Sequence, residues 1–226
     1  MVELKRAAVT AILVLTLATP TISAAGPPSE RIFAAGALNG IPPGASLIYT
    51  HLREGTGGDR QLQPITDGEV RVTLRSGADG AREAVVAMSS GGRLRELNPF
   101  PASVGNPLLM TFLESSLRAI ARVTGGSPFY IRNRMKAALR EGGEIAQVDA
   151  SLAGEAIEAD AITFHPFTDD KNRHRMGDFA DLELRFVMSD MAPGGFVLFS
   201  AATRPGTDGA VAFREEIALR EVREGD

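Results

Sequence analysis

The sequence predicts an α+β domain: a curved antiparallel sheet, or half barrel, of about 8–11 strands with an inserted helical hairpin. Three observations predict it. Strand-period segments joined by short glycine turns occupy both halves of the chain. One block, residues 106–141, switches to a helical period. A length of 226 residues with 44% apolar and 23% charged residues suits one core.

The elements follow in order. Residues 26–45 carry Pro27, Pro28, Pro42 and Pro43 and read as a lead-in loop. Ser29 is placed to cap a helical turn or two running to Leu38. Residues 46–53 are a strand. Residues 69–76 alternate, with Val70, Val72 and Leu74 opposite Arg71, Thr73 and Arg75, which gives one buried and one wet face. Glycine turns lead to strands at 83–89 and 93–97. Asn106-Pro107 then offers a cap and a proline at the first helical position. Leu109, Phe112, Leu113, Leu117 and Ile120 recur at helical spacing until Gly125-Gly126. Ser127-Pro128 repeats the start, and Ile131, Met135 and Leu139 mark a second stripe. Strands return at 144–152 and 155–164 around Gly154. A polar loop spans 166–180. Strands follow at 181–189, at 196–203, whose almost wholly apolar run predicts cover on both faces, and at 210–222, where Glu215 interrupts the apolar side.

The N-terminus reads as an export signal. Lys5 and Arg6 precede an uncharged run at 7–18, Pro20 breaks it, and Ser23-Ala24-Ala25 supplies small residues for cleavage near Ala25. A membrane-spanning helix needs about 20 apolar residues, more than this run holds. The expectation is a signal peptide over 1–25 and a single domain over 26–226, placed in the periplasm, with secretion as the alternative. No later stretch reads as a transmembrane segment.

The chemical inventory is thin. The absence of cysteine excludes disulfides, thiolate metal sites and cysteine nucleophiles. A net charge of -4 speaks against nucleic-acid binding. No phosphate loop, nucleophile elbow, dinucleotide fingerprint or zinc-protease motif occurs. No cofactor is expected, and binding is expected rather than catalysis. His51 reads as a satisfied, half-buried histidine. The one metal alternative is His165, Asp169 and His174 in the polar loop, whose spacing matches no standard motif.

The order strands, helical pair, strands behind an export signal resembles the periplasmic lipoprotein- and lipid-carrier fold, a half barrel with a helical lid. The turn Ser189-Asp190-Met191-Ala192-Pro193-Gly194 is similar to sequences of outer-membrane biogenesis proteins of that class. Gly105-Asn106-Pro107-Leu108-Leu109-Met110 through Tyr130-Ile131-Arg132-Asn133-Arg134 looks like a block shared among exported bacterial proteins. The resemblance implies a fold and a ligand class, with no individual site.

Two sets of candidate residues follow. If helices cap a concave sheet, Phe112, Phe129, Tyr130, Met135, Phe186, Met188, Phe196 and Phe199 line the gap, as core or as pocket. The hairpin carries six bases against two acids, and Arg118, Arg122, Arg132, Lys136 and Arg140 are candidates for anionic headgroups or a partner. The leading expectation is a non-enzymatic periplasmic carrier of a lipid or lipoprotein acyl chain. The alternatives are a cell-envelope assembly protein that binds a partner by a sheet edge or helix face, and a metal-dependent hydrolase using the His165–His174 loop.

Overall fold

A computed structural model describes residues 27–56 and 62–225. The expected signal segment, 1–25, lies outside the described residues.

Ten strands form one open antiparallel sheet: β1 (Ser46–Glu54), β2 (Ile65–Ser76), β3 (Arg82–Ser90), β4 (Arg93–Glu96), β5 (Phe100–Pro101), β6 (Glu144–Leu152), β7 (Glu155–Phe164), β8 (Glu183–Met188), β9 (Phe196–Ala202) and β10 (Arg214–Arg223). Their order is β4-β3-β2-β1-β10-β9-β8-β7-β6, with β5 also on β3. The two halves of the chain therefore meet where β1 pairs with β10, and the central seam joins residues 160 or more positions apart, as in Glu54 opposite Arg214 and His51 opposite Ile217.

Helices α2 (Pro107–Thr124) and α3 (Pro128–Glu141) form the predicted hairpin. Asn106 caps α2 by accepting from the Leu108 amide at 3.0 Å, and its amide donates to the Gly194 carbonyl at 3.1 Å. One side chain thus starts the helix and fastens it to the β8–β9 turn. Gly125, at φ 67, ends α2 in a left-handed conformation. The stripe Leu109, Phe112, Leu117 and Ile120 is buried against the sheet. Each such side chain contributes about 1.5–3 kcal/mol on burial.

The hairpin of β6 and β7 closes on Ala153 and Gly154, both at positive φ, a two-residue turn whose twist matches that of the strands. In β9, Phe196, Val197, Phe199, Ser200 and Ala201 are buried, so this strand is covered on both faces as its composition predicts.

The structure refines the sequence reading in several particulars, among them an earlier start for β2, at Ile65, and the short β5. The lead-in is the expected loop, turns without helix or strand over 33–45, but it is packed: Ile32, Leu38 and Ile41 are buried, and the Arg82 guanidinium bonds the carbonyls of Leu38, Asn39 and Ile41. The first helix, α1 (Pro28–Ile32), stops well short of Leu38 and is entered from Pro27, so Ser29 is no cap. The last strand starts at Arg214 rather than 210, because the Thr203 hydroxyl takes the Ala212 and Phe213 amides that a ladder would use. The polar loop holds two 3-10 turns, Arg173–Arg175 and Gly177–Asp181.

Candidate functional site: an arginine-lined hollow

At the centre of the sheet Glu215 is fully buried, on the side facing α2. Its Oε1 accepts from His51 Nε2 at 2.8 Å, Arg53 Nη2 at 2.7 Å and Ser115 Oγ at 2.7 Å, and its Oε2 from Ser116 Oγ at 2.9 Å. Strands β1 and β10 place the first two donors, and α2 places the two serines. Burial pushes the Glu215 carboxyl up, but the His51 hydrogen bond and the Arg53 charge outweigh it and hold the group below the usual glutamate range. His51 is thereby accounted for as a buried, bonded histidine.

Arg53 continues outward from this cluster into a hollow of about 330 Å³ between α2 and the β2–β4 end of the sheet. Arg53, Arg95, Arg118 and Arg122 stand around it, with Glu114 as its acid and Leu62, Met88, Leu97 and Ala119 as its apolar lining. Arg118 bonds Glu114 at 2.7 Å, and Arg132 reaches the same carboxylate from α3 at 3.1 Å. The Arg118 hydrogen bond, with help from Arg132, holds the Glu114 carboxyl below its usual value. Arg95 and Arg122 make no ion pair among the described residues, and the buried Arg53 Nε has no acceptor. The hollow is therefore net cationic with an apolar floor.

No family model matches the chain, and no curated protein does. Solved structures offer distant likenesses. MucB matches at 13% identity and a TM-score of 0.39, covering 87% of this chain and 57% of that one. The MucA/MucB complex of Pseudomonas aeruginosa matches at 13% and 0.39, covering 87% and 56%. MucB in complex with MucA(peri) matches at 11% and 0.37, covering 80% and 50%. This chain thus spans 50–57% of the length of those chains.

The sequence-predicted residues divide. Phe112, Phe186, Phe196, Phe199 and Met135 come together in the core. Phe112 lies 6.1 Å from Phe186 and 5.7 Å from Phe199, and Phe196 stacks on Phe199 at 4.5 Å. These rings occupy the space between α2 and the sheet. Met188 is half-buried at the edge of that core, and Phe129 is exposed. Tyr130 instead holds the polar loop, donating to Asp170 at 2.5 Å while accepting from Asn172 at 2.8 Å. Of the basic candidates, Arg118 and Arg122 line the hollow, while Arg132, Lys136 and Arg140 are exposed on α3.

The metal alternative is not built. His165 and Asp169 border one hollow and His174 another, and no metal-binding cluster of His, Asp or Glu exists among the described residues. The 3-10 turns swing His174 away, and the adjacent carboxylate, Asp170, is taken by Tyr130 and Arg134. Sequence reasoning missed Arg53 and Arg95. No spacing rule connects β1, β4 and α2, and only Glu215 on an apolar face hinted at a buried cationic partner.

Proposed function

We propose that this chain is exported by its leader, cleaved near Ala25, and works in the cell envelope as a single-domain binding protein that grips an acidic segment of a partner protein. The observation that carries the reading is the hollow itself: four arginines around an apolar floor, two of them without a counter-ion among the described residues. Guanidinium groups match carboxylates through paired hydrogen bonds, and Leu62, Met88 and Leu97 offer contact for apolar side chains between the acids. A volume of about 330 Å³ accommodates a few side chains, which suits a peptide turn better than a whole acyl chain. Ser115 also borders the hollow and donates to Glu215 at 2.7 Å, but that carboxylate is held below the usual glutamate range by His51 and Arg53 and is a weak base for a hydroxyl, so the reading is binding.

The test is fluorescence anisotropy with a short labelled peptide of alternating Glu and Leu, alongside crosslinking in the envelope. Binding should weaken with salt. The exchanges Arg95→Glu and Arg122→Glu should each weaken it about tenfold or more. Binding that ignores both exchanges, or no binding at all, would refute the assignment.

A further inference from the structure

A second cationic surface lies outside the hollow. Helix α3 buries Ile131, Met135 and Leu139. At 100° per residue, Phe129, Lys136 and Arg140 fall within ~40° of one another on its exposed side, roughly 100–140° from the centre of the buried stripe. Phe129 is 69% exposed there, although a phenylalanine ring is normally among the most buried groups. One flank of this face meets α2, where Arg132 bonds Glu114. The other flank carries the loop Lys171-Asn172-Arg173-His174-Arg175, held against α3 by Asn172 on Tyr130 and by Asp170 on Arg134 at 2.8 Å. Lys171 and Arg175 are exposed on that loop. Lys136, Arg140, Lys171 and Arg175 make no ion pair among the described residues. Exposed acids stand at the margin, Glu141 and Glu144 past the C-terminal end of the face and Asp169 and Asp178 on either side of the loop, and none of α3's own residues on the side of Phe129, Lys136 and Arg140 is acidic.

We propose that this face of α3, with the 171–175 loop beside it, docks the protein on an anionic phospholipid surface, with Phe129 entering the headgroup layer. The inference is independent of the peptide-binding hollow. A peptide or a small anion calls for a concave site. Here the cations stand along an open helix side with one protruding ring at its N-terminal end, which suits a flat, negatively charged layer with an apolar interior beneath it. The surface charge attracts the cations, and the ring adds an apolar contact that neither free phosphate nor a polar acidic chain can supply. The helix's own apolar stripe stays in the protein core, so the docking is peripheral and reversible.

Vesicle co-sedimentation of the exported protein tests it. Vesicles containing phosphatidylglycerol should pull the protein down, and pure phosphatidylcholine vesicles should not. Each surface Lys or Arg contributes about fivefold in partition, so Lys136→Glu with Arg140→Glu should reduce binding by about 25-fold or more. Phe129→Ser should reduce it a few-fold, including at salt concentrations that suppress the charge term. Lys171→Glu with Arg175→Glu provides a second charge reversal away from the helix, with circular dichroism confirming that each variant is folded. Arg95→Glu, on the hollow, should bind vesicles nearly as the unaltered protein does. The proposal is overturned if anionic and neutral vesicles bind alike, if the folded charge variants bind as before, or if only the hollow variant loses binding.

Discussion

Replacing Glu215 by alanine should cost about 3–5 kcal/mol of folding stability, the range for breaking a buried charge pair from one side. The carboxylate is fully buried and accepts four hydrogen bonds. Without it Arg53, whose side chain is only 14% exposed, keeps its charge without the counter-ion. His51 and two serines lose their acceptor as well. Glu215→Gln keeps the shape and one acceptor oxygen but loses the charge, so it should cost less, about 1.5–3 kcal/mol. The pH dependence follows from the sign of the shift. The folded-state pKa lies below the unfolded value of about 4.3. The stabilisation is therefore complete above that value and is lost as pH falls through the folded pKa. Urea unfolding followed by circular dichroism, at neutral pH and in steps down to about pH 3, should show the gap between unaltered protein and Glu215→Gln narrowing on acidification. A loss below about 1 kcal/mol for the alanine variant, or a gap that stays constant across the acid range, would refute this account of the cluster.

Two smaller changes test the local arguments. Asn106→Ala removes both the α2 cap and the bond to Gly194 and should cost about 1–2 kcal/mol in thermal unfolding. A cost near zero would mean that the cap is replaced by water. Ala153 sits at φ 53 in the β6–β7 turn, where a side chain other than Asn or Asp is disfavoured. Ala153→Asn should therefore raise stability by about 0.5–1 kcal/mol without shifting the strand register. A decrease in melting temperature would count against the turn assignment.

Local chemistry was readable from the sequence wherever the signal was local. The 144–152 and 155–164 strands match β6 and β7 end for end, because two strand-length runs and the glycine turn between them are contained within twenty residues or so. The helix starts at Pro107 and Pro128 were equally readable. What escaped was non-local. The pairing of β1 with β10 brings Arg53 to Glu215, and no periodicity connects residues so far apart in the chain. Strand β5, two residues containing a proline, has no length to show a period. The prolines mark the lead-in as a loop, which it is, but not that it packs, because the Arg82 guanidinium that holds the Leu38 and Ile41 carbonyls comes from β3.

The same distinction decides where binding is to be sought. The residues that composition singled out as a pocket, Phe112, Phe186, Phe196 and Phe199, satisfy one another as edge-to-face and stacked rings. A ligand entering there would have to displace contacts worth a few kcal/mol per ring. The unsatisfied groups lie elsewhere, on β4, on the outer side of α2 and on α3, where Arg95, Arg122, Lys136 and Arg140 stand without carboxylate partners among the described residues. Glu215 shows why the two regions remain separate. Its buried charge neutralises Arg53 at the inner end of the hollow and ties α2 to the sheet through Ser115 and Ser116. The helix cannot lift off the aromatic core as a lid without stranding that carboxylate. Both proposed binding surfaces accordingly use charged groups outside this closed core of sheet and rings.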